Sequence, residues 1–190
     1  DSNMAPRILL CGDVLGRLNA LFKRVATVNK ANGPFDALLC VGQFFPNHVE
    51  ELDEMKQYVQ GQQEIPLPTY FIGDFGEGVA SVLCAAKLKS AEQGFKMEGI
   101  PVCNNIYWLK GSGKFILHGL SIAYLAGRSS SSGSAVGVYG EDDIDALRAF
   151  AEESGIVDLF LTYPYAPPGI EHLSGGNAVI SELVKELKPR

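Results

Sequence analysis

The sequence predicts an α/β fold with parallel strands, and three observations predict it. Apolar runs such as Arg7 to Cys11 and Phe35 to Val41 are nearly continuous rather than alternating, the pattern of strands covered on both faces. Stretches with apolar residues at helical spacing separate these runs. Each run stops at a glycine or a polar loop, and in such folds the loops at the strand ends form the functional edge.

The first unit is the strand Arg7 to Cys11, the tight loop Gly12-Asp13-Val14-Leu15-Gly16 and a helix from Arg17 to about Ala31. In that helix Leu18, Leu21, Phe22, Val25 and Val28 recur at helical spacing. Asn32-Gly33-Pro34 stops it. A second buried strand covers Phe35 to Val41 and ends at Gly42. His48 to Gln60 reads as a short helix, and Pro66 to Ile72 as a third strand ending at Gly73. The same pattern returns at Val157 to Thr162, after a helix at Asp142 to Glu153 and the stopper Gly155. Between these units, Asn105 to Lys110, Lys114 to His118 and Leu120 to Leu125 are short strand candidates. Gly111-Ser112-Gly113 and a turn around His118-Gly119 separate them, which predicts an antiparallel meander packed beside the parallel units. Ala126 to Gly137 holds the serine-rich run Ser129 to Ser134 and too few large apolar side chains for core, so it reads as a mobile loop. Asn177 to Leu187 places Val179, Ile180, Leu183, Val184 and Leu187 on one face and reads as a terminal helix.

A length of 190 residues fits one domain with a sizeable core, and 46% hydrophobic with 20% charged residues fits a folded chain rather than a disordered one. The 16 Lys+Arg against 22 Asp+Glu give a net charge of −6, which supplies no global electrostatic reason for nucleic-acid or anionic-membrane binding. No apolar run approaches the ~18 residues of a membrane span, and the start lacks a signal-peptide pattern, so an intracellular location is expected. Cys11, Cys40, Cys84 and Cys103 never take the short paired spacing of a zinc module or redox pair, and read as reduced core thiols. Asp1 to Asn3 precede Met4 and look like an expression scar, and residues 4–190 read as one domain cut from a longer chain.

The strand ends carry the candidate chemistry. The first loop lacks the G-x-G-x-x-G spacing, and Asp13 puts a carboxylate where a pyrophosphate needs backbone donors; no G-x-x-x-x-G-K-[ST] loop occurs. A carboxylate directly after a strand suits a divalent metal better, but it needs partners. The matching ends offer Gly42-Gln43-Phe44, Gly73-Asp74-Phe75 and Thr162-Tyr163-Pro164. Only Asp13 and Asp74 are carboxylates, Gln43 is a weak neutral ligand, and the phenol of Tyr163 ionises only near ~10. These residues leave open a weak cation site between Asp13 and Asp74. The plainer reading has Asp13 capping the following helix or fixing its loop. His48, His118 and His172 stand isolated, without metal-ligand spacing. Phe44, Phe45, Phe75, Tyr163 and Tyr165 follow strands at this edge, where they would fill the cleft, meet a partner protein or stack on single-stranded bases. Trp108 reads as a core residue of its strand, and Arg128, beside the serine-rich loop, as a candidate phosphate contact.

Four segments carry a family likeness: Ile8-Leu9-Leu10-Cys11-Gly12-Asp13-Val14-Leu15-Gly16, Phe35-Asp36-Ala37-Leu38-Leu39-Cys40-Val41-Gly42-Gln43-Phe44-Phe45, Pro68-Thr69-Tyr70-Phe71-Ile72-Gly73 and Asp158-Leu159-Phe160-Leu161-Thr162-Tyr163-Pro164. Gly175-Gly176-Asn177 and Leu187-Lys188-Pro189-Arg190 extend it over nearly the whole chain. Together they resemble the calcineurin-like metallophosphoesterases, specifically the amino-terminal domain of CwfJ-type (CWF19-like) splicing proteins in their plant, CCCH-zinc-finger-containing form, relatives of the lariat-debranching enzyme. The resemblance implies mixed β-sheets flanked by helices. It also implies a degenerate metal site. Active members carry D-x-H, and here Asp13 matches while Leu15 holds the histidine position; Gln43 stands for a bridging aspartate, Gly73-Asp74-Phe75-Gly76 for G-N-H-[DE], and Tyr163 for a histidine. The final G-H-x-H of the family would lie beyond Arg190. No catalytic residue, metal or other cofactor is therefore expected.

The function implied is that of a non-catalytic protein-interaction domain in a nuclear factor of the post-splicing, intron-lariat spliceosome that assists lariat debranching. Its expected partners are the lariat-debranching enzyme or spliceosomal proteins, and no membrane. Full chains of this resembled group continue into CwfJ modules, with a CCCH zinc finger in plant members. Two alternatives stay open: a metal-dependent phosphodiesterase with an atypical site at Asp13 and Asp74, and a branched or single-stranded RNA-binding module. Arg128, Phe44, Phe45 and Tyr165 are the candidate RNA or partner contacts.

Overall fold

In the computed structural model, which describes residues 5–73, 79–92, 99–129, 137–153, 155–163 and 174–190, two β-sheets face each other between two layers of helix. The first half runs β1 (Ile8–Cys11), α1 (Leu18–Asn32), β2 (Ala37–Gln43), a 3₁₀ turn (Val49–Leu52), α2 (Asp53–Val59), β3 (Thr69–Gly73), α3 (Val79–Glu92), β4 (Ile100–Cys103) and β5 (Ile106–Trp108). The second runs β6 (Ser112–Leu117), β7 (Leu120–Leu125), β8 (Arg128–Ser129), β9 (Val138–Tyr139), α4 (Glu141–Glu152), β10 (Leu159–Thr162) and α5 (Ser174–Leu187). Five strands form one sheet in the order β1-β2-β3-β5-β4, parallel except for β4 at one edge. Three form the second in the order β10-β7-β6, with β10 parallel to β7 and β6 antiparallel to it.

The continuous apolar runs follow from this layering. In β2, Leu38 and Cys40 join Leu18, Phe22, Met55 and Leu83 on the helical side, whereas Ala37 and Leu39 meet Phe115, Ile122 and Leu161 between the sheets. Strand β7 repeats the arrangement, with Ile122 and Tyr124 inward and Ala123 and Leu125 against Leu147, Leu183 and Leu187 of α4 and α5. A strand covered on both faces has no solvent side for a polar residue. Each fully buried Leu or Phe contributes roughly 1.5–3 kcal/mol.

Local chemistry ends the elements where the sequence marks them. The Gly33 N–H caps α1 by donating to the Asn29 carbonyl at 2.9 Å, directly before Pro34. At the start of α4 the Gly140 N–H donates to the Asp143 carboxylate at 3.0 Å, and Glu141, Asp142 and Asp143 put negative charge at the positive end of the helix dipole. His118 (φ 48°) and Gly119 (φ 88°) form the two-residue turn joining β6 to β7, because consecutive left-handed residues match the twist of a hairpin.

Three expectations are corrected. Val157 to Thr162 does not extend the series β1, β2, β3; its strand β10 pairs with β7 in the second sheet. The meander is divided: β5 lies in the first sheet, parallel to β3 and antiparallel to β4, while β6 and β7 form an antiparallel hairpin in the second. The segment Ala126 to Gly137 contributes a buried Ala126 and the strand β8, whose two residues pair in parallel with β9; residues 130–136 lie outside the described part. Two elements had no anticipated counterpart. Helix α3 spreads its apolar residues around the helix rather than along one stripe, and β4 is a four-residue strand containing Pro101 at the sheet edge. The last helix begins at Ser174, three residues before the expected start. Among the described residues no helix is long and apolar enough to cross a membrane.

Candidate functional site

Strands β1, β2 and β3 are parallel neighbours, so their carboxyl ends at Cys11, Gln43 and Gly73 lie on one edge. Close approach binds them together. A Cβ on Gly42 would collide with the backbone nitrogen and carboxylate of Asp13, and a Cβ on Gly73 would collide with the Gly42 carbonyl and lie 2.8 Å from Cε2 of Tyr163. Asp13, Gly42, Gly73 and Tyr163 are thus in one continuous contact across both sheets. Only residues without a side chain fit at the two central positions.

Hydrogen bonds then knit the first loop to the second. The Gln43 N–H donates to Oδ1 of Asp13 at 2.7 Å, and the N–H groups of Val14 and Leu15 donate to the Gln43 carbonyl at 2.8 and 3.1 Å. Gly16 N–H donates to the Phe44 carbonyl, and Phe44 N–H to the Gly73 carbonyl, each at 2.9 Å. The Gln43 side-chain amide turns away from Asp13 and donates to the Phe45 carbonyl and to Oδ1 of Asn47, each at 2.9 Å. Asp13 therefore fixes the loop. It does not cap α1, whose N-cap Arg17 makes no side-chain cap bond. Leu15 sits at φ 53°, a left-handed conformation that costs a branched residue about 1–2 kcal/mol and that the surrounding bonds hold in place.

Phe44 and Phe45 are 0% exposed, which removes them as surface contacts for RNA or a partner. The Phe44 ring stacks on Phe71 at 4.2 Å between centroids, and Phe45 meets both edge-on at 5.5–5.6 Å. The chain turns inward after Gln43 because these two rings complete the core beneath α1, α2 and α3. On the other side of the edge, the exposed Arg128 holds its guanidinium carbon 6.0 Å from the centre of the Tyr163 ring, within cation–π range. Trp108 is 1% exposed in the core. His48 and His118 are both exposed, His48 before the 3₁₀ turn and His118 in the hairpin turn. Asp74, Phe75, Tyr165 and His172 lie outside the described residues.

One pairing has no signal in sequence spacing. Cys11 and Cys40 are register partners on β1 and β2. The hydrogen bond from Cys40 brings the Cys11 thiol down to about 7 against the opposing effects of burial and Asp13, and the same bond with burial holds Cys40 well above the usual thiol range. Burial alone pushes Cys103 up to about 11. The register of two parallel strands, each carrying one cysteine, was the signal available.

A divalent metal fits this donor set poorly. One oxygen of Asp13 accepts from a backbone N–H, the Gln43 amide is turned to Phe45 and Asn47, and Leu15 has no donor atom. Among the described residues no three His, Cys, Asp or Glu side chains converge on a metal-sized space.

No family model matches the chain. It is 56% identical over 199 residues to zinc finger CCCH domain-containing protein 64 of Arabidopsis thaliana, covering 98% of this chain and 33% of that protein. It is 48% identical over 202 residues to zinc finger CCCH domain-containing protein 59 of Oryza sativa subsp. japonica, covering 97% and 32%. With CWF19-like protein 1 of Homo sapiens the identity is 30% over 198 residues, covering 97% and 34%. The chain spans about a third of the length of the curated relatives it matches.

Proposed function

We propose, for a chain that homology links to the CWF19-like and CCCH-zinc-finger proteins, a calcineurin-like metallophosphoesterase domain that has exchanged metal chemistry for protein recognition. Residues 4–190 form this domain, one part of a longer nuclear protein. It serves the intron-lariat spliceosome after splicing by binding the lariat-debranching enzyme or a spliceosomal protein and assisting debranching. The observation that carries this reading is the use made of the strand-end donors. In a two-metal site they point at ions that activate water and neutralise developing charge. In this chain Asp13 instead accepts from the neighbouring loop, and the Gln43 amide bonds within its own loop. Removing ligands takes away nucleophile activation and transition-state stabilisation together.

Calorimetry with Mn²⁺ on the chain and on the full-length protein tests the metal side, with no tight stoichiometric site expected. Titration with purified lariat-debranching enzyme tests the recognition side, with saturable one-to-one binding expected. Tight binding of two metals, with turnover of a branched RNA that Asp13→Asn abolishes, overturns the reading in favour of a phosphodiesterase.

A second reading has one observation in its favour. Arg128 over Tyr163 sets a cation and an aromatic face side by side at the strand-end edge, the pair of features that holds single-stranded RNA. Salt-sensitive RNA affinity that falls when Arg128 is replaced by Ala supports it. Affinity unchanged by that substitution removes it.

A further inference from the structure

Cys11 and Cys40 take no part in the strand-end contacts, yet they are the best-matched reactive pair among the described residues. As in-register partners on adjacent parallel strands they share one face of the sheet. Both belong to the helical side, where Cys40 is 1% exposed inside the core and Cys11 lies half-buried at its margin. Adjacent strands run about 4.8 Å apart, inside the Cα separation of roughly 4.4–6.8 Å that a disulfide spans. From neighbouring strands and the same face of the sheet, the two side chains stand side by side. One is reachable from solvent. The other is reachable only through its neighbour.

We propose that Cys11 and Cys40 form a peroxide-sensitive thiol pair, with Cys11 the attacking sulfur and Cys40 the resolving one, closing to a disulfide that ties β1 to β2 beneath the Asp13–Gln43 contact. The Cys11 thiolate attacks one oxygen of hydrogen peroxide; the O–O bond breaks, and the departing hydroxide takes a proton to leave as water. The sulfur of Cys40 then attacks the sulfur of the Cys11 sulfenic acid. The S–O bond breaks, and the second hydroxide takes the Cys40 proton and leaves as water. Two thiols and one peroxide give one disulfide and two waters, and two electrons pass from sulfur to oxygen. The partly exposed Cys11 meets the peroxide first, and the buried Cys40 reaches only its neighbour.

The test treats the reduced, native chain with hydrogen peroxide, blocks residual thiols and maps the peptides by mass spectrometry. The expected product is a Cys11–Cys40 cross-link lighter by the mass of two hydrogens, reversed by dithiothreitol, with two of the four thiols left free. In Cys40→Ser, Cys11 should accumulate as a sulfenic acid trapped by dimedone. In Cys11→Ser, consumption of peroxide by the chain should fall at least about tenfold. Retention of all four thiols, a cross-link through Cys84 or Cys103, or conversion of Cys11 to the sulfinic acid while Cys40 stays a thiol overturns the proposal. The mapping needs no variant, so a substitution that unfolds the chain does not decide the result.

Discussion

The two sides of the strand-end edge are held in different ways. On the first-sheet side, backbone hydrogen bonds, two glycines in close contact and two fully buried phenylalanines lock the loops after β1 and β2. On the second-sheet side, the exposed Arg128 of the two-residue β8 lies across Tyr163. The difference separates architecture from surface. The loops after β1 and β2 are tied into the packing through the buried Phe44 and Phe45, while the side fed by the second sheet keeps a charged group at the surface.

That contrast breaks most clearly at Phe44. Phe44→Ala should destabilise the chain by about 3–5 kcal/mol, because its ring is wholly buried and stacked on Phe71, and chemical denaturation measures the loss. Gly42→Ala comes next, at about 3 kcal/mol, since the new methyl meets backbone rather than a yielding side chain; denaturation together with the amide shifts of residues 12–16 reads it. Asp13→Ala should cost about 1 kcal/mol for one exposed, charge-assisted bond and should speed hydrogen exchange at the Gln43 N–H, which it leaves without its acceptor. Arg128→Ala, on the loosely held side, should change stability by less than about 0.5 kcal/mol. A loss as large as that at Gly42 would show that both sides are packed alike.

The cysteines sharpen the comparison through pH. A thiol reacts as its thiolate, so the alkylation rate of Cys11 should rise with pH and reach half its maximum near about 7, whereas Cys103 should approach its own half-maximum only near about 11. The sign is set by which form the surroundings favour: the Cys40 bond favours the charged form of Cys11, and burial disfavours that of Cys103. Replacing Cys40 by Ala should move the Cys11 midpoint upward, because it removes the donor whose bond favours the thiolate. An unchanged midpoint would assign the shift to another neighbour.

Much of this was legible along the chain. The apolar run at Ala37–Gln43 marks a strand because burial on both faces leaves no room for alternation, the shorter run at Ile8–Cys11 marks the edge strand with Leu10 exposed, and Gly33-Pro34 marks the end of α1. The losses fall into two kinds. Helix α3 lacks an apolar stripe, so periodicity had nothing to detect, and β4 is short and contains a proline. The division of strands between the sheets, the burial of Phe44 and Phe45 and the meeting of Cys11 with Cys40 depend on partners distant in sequence.

By itself the sequence determined the alternation of strands and helices, the glycine-marked strand ends and the uncharged side chains of Leu15 and Gln43 at two of those ends. These are properties of side-chain type and local spacing, which backbone sterics and helical or extended periodicity translate directly. Only the tertiary structure decided which strands became neighbours, that the rings after Gln43 turn inward, that Asp13 serves a backbone N–H, and that two cysteines share a register. The physical reason is that strand pairing and burial are settled by the packing of whole layers against one another, and no local stretch of chain contains the surface it will meet.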